Sequence, residues 1–246
     1  RVYVFYGQVL PAALPALIDL SVTSADSEIL GGRPSNGGET LGGALATGDV
    51  DGDGTEDIII GATRADGSTH PTSPAPAIID AGRIYVFKGG SLPASIDLHT
   101  SPSAPLFQIW GESASDRLGF EATVGDVNGD EYGDIICAAI AGNPLGTRPG
   151  AGQVYVIHGG PGLSGTRNLY TDAANVATRI MGGEIGDTAG QAVASGDVNL
   201  DGVDDVIIGA HQADPLDRDS AGILYVLYGG TAAGGDLLPA VVEDRE

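Results

Sequence analysis

Asp49-Val50-Asp51-Gly52-Asp53-Gly54-Thr55-Glu56-Asp57 carries carboxylates at its first, third, fifth and ninth positions, with Thr55 at the seventh offering a backbone carbonyl. Such an all-oxygen ring suits a hard cation. Ca2+ accepts roughly six to eight oxygens at about 2.3–2.6 Å in flexible geometry, whereas Mg2+ demands a near-ideal octahedron and keeps its waters. The run recurs as Asp126-Val127-Asn128-Gly129-Asp130-Glu131-Tyr132-Gly133-Asp134 and as Asp197-Val198-Asn199-Leu200-Asp201-Gly202-Val203-Asp204-Asp205. Three Ca2+ sites are therefore expected. The first uses Asp49, Asp51, Asp53, Thr55 and Asp57. The second uses Asp126, Asn128, Asp130, Tyr132 and Asp134, and the third Asp197, Asn199, Asp201, Val203 and Asp205. Asn at the third position removes one charge from the second and third sites, which predicts weaker binding there. Glu131 stands where the first run has Gly54 and strains the turn if that position needs positive φ. Without a cation, four carboxylates in one tight loop repel one another, which argues against a merely acidic turn.

The residues after each run decide its type. An EF-hand loop continues to a bidentate Glu at position twelve and into a helix. Position twelve here is Ile60, Cys137 and Ile208. The runs continue as Ile58-Ile59-Ile60-Gly61-Ala62, Ile135-Ile136-Cys137-Ala138-Ala139 and Val206-Ile207-Ile208-Gly209-Ala210, short β-branched stretches that read as buried strands. Another short stretch precedes each run: Leu41–Ala46, Leu118–Thr123 and Ala189–Ala194. Each acidic run is thus the turn of a β-hairpin, which also excludes the dockerin-type arrangement with its exiting helix.

Strands centred on Tyr3, Tyr85, Tyr155 and Tyr225 follow a common pattern, as in Arg83-Ile84-Tyr85-Val86-Phe87-Lys88-Gly89. A further family is Ile29-Leu30-Gly31, Ile109-Trp110-Gly111 and Ile180-Met181-Gly182. Three features recurring at about 70 residues define an internal repeat. Each repeat holds four short strands: before the acidic turn, after it, the Tyr strand and the Ile-x-Gly strand. Four antiparallel strands per repeat make a propeller blade, which must stack on neighbours to bury both faces. The 40 glycines and 14 prolines favour this all-β fold over a helical one.

The net charge of −22 repels nucleic acid and anionic membranes, and neither is an expected partner. No apolar run approaches the roughly 20 residues that a membrane helix needs, so no membrane insertion is expected. Cys137, the single cysteine, sits in a predicted strand and reads as a small buried hydrophobe.

The pattern Leu-Gly-x-x-x-Ala-x-Gly-Asp-Val-x-x-Asp-Gly-x-x-Asp-Ile-Ile-Ile-Gly-Ala, followed by Gly-Arg-Ile-Tyr-Val-Phe, resembles the FG-GAP repeat of integrin α-subunit β-propellers. The resemblance covers 41–90, 118–160 and 189–230, with 1–7 as the end of an earlier repeat. Phe-Gly is replaced by Leu41-Gly42, Leu118-Gly119 and Ala189-Gly190, and Gly-Ala-Pro by Gly61-Ala62-Thr63, Ala138-Ala139-Ile140 and Gly209-Ala210-His211. The implied fold is an all-β propeller of four-stranded antiparallel blades forming an incomplete ring in this chain. Residues 1–31 are the C-terminal half of a blade, 41–111 and 118–182 are whole blades, and 189–242 is a final blade whose fourth strand is sought at 236–242.

The resemblance implies a calcium-stabilised extracellular or cell-surface module for adhesion or ligand binding. Its ligand, protein or glycan, is met by the loops between second and third strands, 63–80, 141–150 and 211–220, opposite the acidic turns. Two rivals stand beside this reading: a ring, filament or sheath built by copies joining through open blade edges, and a Ca2+-dependent carbohydrate-binding or polysaccharide-degrading domain. No catalytic residues are expected. Acids that hold Ca2+ stay ionised and make poor general acids, and His70, His99, His158 and His211 show no metal-binding spacing.

Overall fold

The structure is a computed structural model describing residues 1–7, 19–21, 23–32, 38–68, 77–90, 92–171, 178–230 and 241–243. β1 (Val2–Val4) and β2 (Ser27–Leu30) pair antiparallel, Val2 opposite Ile29. The first whole blade starts with β3 (Leu41–Gly48) and β4 (Asp57–Ala62). Between second and third strands lies a two-stranded excursion, β5 (Gly67–Ser68) and β6 (Ala77–Ile78). The Tyr strand β7 (Arg83–Phe87), a short β8 (Ser95–Asp97) and the fourth strand β9 (Phe107–Trp110) follow.

The second blade repeats the order with β10 (Leu118–Gly125), β11 (Asp134–Ala139), β12 (Gln153–Ile157), a short β13 (Gly165–Asn168) and β14 (Thr178–Met181). The last blade has β15 (Ala192–Gly196), β16 (Asp205–Ala210) and β17 (Ile223–Leu227), and β18 (Val241–Glu243) ends the series. These are propeller blades, and the ring they begin is not closed.

All three hairpins close in one register. Gly48 pairs with Asp57, Gly125 with Asp134 and Gly196 with Asp205, so every acidic run occupies the same loop. The glycine of each Leu-Gly or Ala-Gly pair, Gly42, Gly119 and Gly190, has φ near +90°. A Cβ on Gly119 would lie 2.7 Å from Arg83 O and 2.9 Å from Gly61 Cα, so this position needs both a left-handed backbone and close contact with the preceding blade.

The cores lie between blades. Ile59, Ile84, Val86 and Ile109 of the first blade pack with Ile135, Cys137 and Tyr155 of the second. The alternate residues Ile136, Ala138, Val154 and Val156 face the other way, onto Val206 and Ile208. A central strand buried on both faces needs apolar residues at every position, which is why these strands read as unbroken β-branched runs. Cys137 is fully buried, and burial pushes its thiol up to about 12, as suits an inert core residue.

A fifth strand completes each earlier sheet, and the four-strand reading missed it. β8 pairs in parallel with β2, β13 with β9 and β18 with β14, so the segment between third and fourth strands reaches back to the outer edge of the preceding blade. The Ile-Asp-Leu repeated at 18–20 and 96–98 was a signal for it, and Leu98 and Leu169 just after β8 and β13 are buried. Most of the fourth strand sought at 236–242 falls within 231–240, outside the described residues, and 241–243 pair with β14 of the preceding blade. The outer edges of β2, β9 and β14 are therefore covered, not open. Among the described residues no helix is long and apolar enough to cross a membrane.

Candidate metal centre

Each acidic turn is wound on its own first carboxylate. Asp49 Oδ1 accepts from Gly52 N at 2.8 Å and Asp53 N at 3.1 Å, and Oδ2 accepts from Gly54 N at 2.8 Å. Asp126 repeats this with Gly129 N at 2.7 Å, Asp130 N at 3.1 Å and Glu131 N at 2.8 Å. Asp197 accepts from Asp201 N at 3.1 Å and Gly202 N at 2.9 Å. The winding requires positive φ at the fourth and sixth positions. Gly52, Gly129, Gly54 and Gly202 take it freely, while Glu131 (φ 71°) and Leu200 (φ 64°) take it against their side chains. The strain expected at Glu131 is therefore present, and Leu200 is a second instance that the sequence reading passed over.

The ninth carboxylate braces the turn from beneath. Asp57, Asp134 and Asp205 are fully buried. Their Oδ2 atoms accept from the second-position N–H groups of Val50, Val127 and Val198 at 3.2, 3.1 and 3.0 Å. Their Oδ1 atoms accept from Gly89, Gly159 and Gly229, just beyond the Tyr strands, at 2.8, 3.0 and 2.9 Å. Burial pushes the Asp134 carboxyl up to about 7 and raises that of Asp57, because a charge at that depth has lost its water. A divalent ion held by the turn would offset that penalty.

Asp49, Asp51 and Asp57 each bring an oxygen to within 4.8 Å of the others, the one such acid triad among the described residues. In the second and third turns the third position is Asn. Asn128 Nδ2 donates to Asp130 Oδ2 at 3.0 Å, and Asn199 Nδ2 to Asp201 Oδ2 at 2.9 Å. An all-oxygen donor set on a prewound loop fits Ca2+. Such an ion would neutralise the buried ninth acid and tie it to the first, third and fifth positions. Lys88, which the sequence reading did not connect with the site, joins the first turn: its Nζ lies 2.6 Å from Asp51 Oδ2 and 2.6 Å from Asp53 Oδ2.

The turns also form the seam between blades. Asp49 O accepts from Gly133 N at 2.9 Å and Val50 O from Gly160 N at 2.9 Å, and the next blade repeats this with Asp126 O to Asp204 N at 2.8 Å and Val127 O to Gly230 N at 3.1 Å. Asp204 Oδ2 also accepts from Asp126 N at 3.1 Å.

The opposite blade ends are built differently. Leu145 and Leu216 lie at the same point of the loops joining second and third strands, in short 3-10 turns with φ of 57° and 56°. Both are exposed, as are Ile79 and Ile185 in neighbouring loops of the same face. Buried tyrosines brace that end: Tyr85 donates to Glu39 Oε2 at 2.9 Å and Tyr155 to Glu112 Oε2 at 2.9 Å, with Arg179 on Glu112 at 2.9 Å. Asp116 lies nearby with Oδ2 buried and unbonded, and burial, then the charge of Glu112, push its carboxyl up to about 6.

Stacked antiparallel blades with an acidic oxygen loop at one end define a class of β-propeller. The sequence model of the FG-GAP repeat matches residues 41–87 and 189–227, and the chain carries that repeat. The copy between them shares its hairpin register and turn hydrogen bonds. Integrin alpha-PS2 of Drosophila melanogaster is 33% identical over 182 residues, which cover 73% of this chain and 12% of that protein. Integrin alpha pat-2 of Caenorhabditis briggsae is 33% identical over 184 residues, or 70% of this chain and 13% of that protein. Human phosphatidylinositol-glycan-specific phospholipase D is 32% identical over 143 residues, or 56% and 16%. The chain thus matches a small fraction of each relative's length.

Proposed function

We propose that this chain is a calcium-stabilised propeller segment of an extracellular or cell-surface protein, binding a protein ligand through the loops opposite its acidic turns. One observation carries this reading: the two ends of the second and third blades differ in construction. One end is an oxygen loop wound on backbone hydrogen bonds. The other presents the aliphatic side chains Leu145 and Leu216 to solvent from a left-handed backbone. Strained backbone persists where the surroundings hold it and is frequent at binding sites. Calcium affinity is expected on the order of 10⁻⁴–10⁻³ M, the range of extracellular modules. Likeness to integrin α subunits supports an adhesion or ligand-binding module. Because the relatives also include a phospholipase D by name, binding without catalysis is part of this proposal.

Binding of the chain to an array of cell-surface and extracellular-matrix proteins, with Leu145→Asp and Leu216→Asp as comparators, tests the reading. Loss of a captured ligand in both variants at unchanged melting temperature supports it. A ligand that both variants still bind assigns recognition to another surface.

A second reading has its own support. Leu224 and Val226 of β17 are 67% and 41% exposed, although their counterparts Ile84, Val86, Val154 and Val156 are fully buried against the next blade. That face accepts a further blade, from a continuation of the chain or from another copy. A concentration-independent monomer in light scattering removes self-association.

A further inference from the structure

The three turns share a frame but differ at one flanking position. Gly89, Gly159 and Gly229 are clipped to the ninth carboxylates, which places the preceding residue beside the turn in every copy. That residue is Lys88 in the first blade, His158 in the second and Tyr228 in the third. Lys88 Nζ bridges Asp51 Oδ2 and Asp53 Oδ2, both at 2.6 Å. These are the oxygens a cation needs, because the partner atoms are already committed to the loop. Asp51 Oδ1 accepts from Asp53 N at 3.1 Å, and Asp53 Oδ1 accepts from Thr55 N at 2.8 Å. In the other turns Asn128 and Asn199 donate to the fifth-position carboxylate themselves. The Asp51 side chain has no N–H to give and repels Asp53, so the first turn draws its cation from Lys88, 37 residues away just beyond β7.

We propose that Lys88 is a tethered counter-cation of the first turn, which calcium must displace from Asp51 and Asp53, so that the turn richest in carboxylates fills last. The inference rests on the calcium reading above and deepens it. Lys88 lowers the first ligand set from four negative charges to three, the number in the other two sets. The electrostatic advantage that composition alone assigns to the first turn is thereby cancelled. Filling it also breaks two charge-assisted hydrogen bonds that the other turns never form. An ammonium left nearby repels a divalent ion twice as strongly as a monovalent one, since Coulomb energy scales with the product of charges. Without calcium the same ammonium holds the first turn in shape, so this turn depends on the metal least.

The test is a calcium titration of the 15N-labelled chain, comparing wild type, Lys88→Met and Lys88→Arg. The amides of Gly54 and Gly202, both sixth-position residues, report the first and third turns separately. In wild type the Gly202 amide shifts at lower calcium than that of Gly54. Lys88→Met moves the Gly54 midpoint down on the order of tenfold and leaves Gly202 in place. Lys88→Arg keeps the wild-type midpoint. In chelator, Lys88→Met melts below wild type. If both amides respond to calcium but the Gly54 midpoint is equal in wild type and Lys88→Met, the counter-cation role is overturned and the calcium reading stands. If neither amide responds at millimolar calcium in any variant, the calcium reading fails and this inference falls with it.

Discussion

Gly133 N donates to Asp49 O at 2.9 Å, joining the eighth position of one acidic turn to the first position of the turn before it. The residue whose carboxylate winds the first loop therefore also anchors the second blade through its carbonyl. Anything that rigidifies Asp49 rigidifies the seam. Chelation is expected to speed hydrogen exchange at the Gly133 and Gly160 amides, while Ile136 at the centre of β11 stays protected. Exchange mass spectrometry with and without calcium checks this, and equal exchange at the seam amides separates the turns from blade spacing.

The glycine beyond the Tyr strand has no room for a side chain. A Cβ on Gly159 would collide with Gly133 O and lie 2.9 Å from Val50 O. Backbone atoms cannot rotate away, so Gly159→Ala is expected to cost about 1–3 kcal/mol of stability. Denaturant unfolding measures it.

Position within a turn decides how much each acid matters without metal. Asp134→Ala strands the N–H groups of Val127 and Gly159 and is expected to cost about 1–3 kcal/mol in chelator. Asp130→Ala removes an exposed fifth-position acid, and its melting point in chelator is expected to stay near wild type. Both substitutions should weaken calcium binding at the second turn, so the pair separates bracing from ligation.

Glu131 and Leu200 occupy left-handed positions at φ 71° and 64° that glycine fills in the sister turns. Glu131→Gly and Leu200→Gly are each expected to raise metal-free stability by about 0.5–1 kcal/mol, the left-handed penalty less the entropy of a new glycine. A fall in melting temperature would mean that these side chains make contacts worth more than the strain.

Asp116 supplies a pH dependence away from the turns. Its folded carboxyl titrates at about 6, above the usual carboxylate range, under burial and Glu112, opposed by the Ser113 N–H and Arg179. The folded state therefore binds this proton more tightly than the unfolded chain. The cost of the buried charge is fully present above pH 6 and is relieved as pH falls through 6 toward 4. Asp116→Asn is expected to melt above wild type at pH 8, to keep about half of that advantage at pH 5 and to converge with it near pH 4. A constant difference across that range removes Asp116 as the source.

Much of this architecture was legible from short-range pattern. Alternate oxygens in nine residues, apolar strands on either side and recurrence at about 70 residues sufficed for hairpins, blades and propeller class. The fifth strand left only a faint mark, the repeated Ile-Asp-Leu: Ser95–Asp97 and Gly165–Asn168 are short and largely polar, and they form strands because a neighbouring blade offers an unpaired edge.

The positions and spacing of the acids are local facts, since a turn of nine residues closes on itself and its chemistry travels with it. Which of Ile135 and Ile136 faces which neighbour was undetermined, because a strand buried on both sides carries no polar mark to orient it. The meeting of Lys88 with Asp51, and of Gly133 with Asp49, was decided only by the stacking of blades. Those partners lie far apart along the chain, and no local preference of either residue specifies the other.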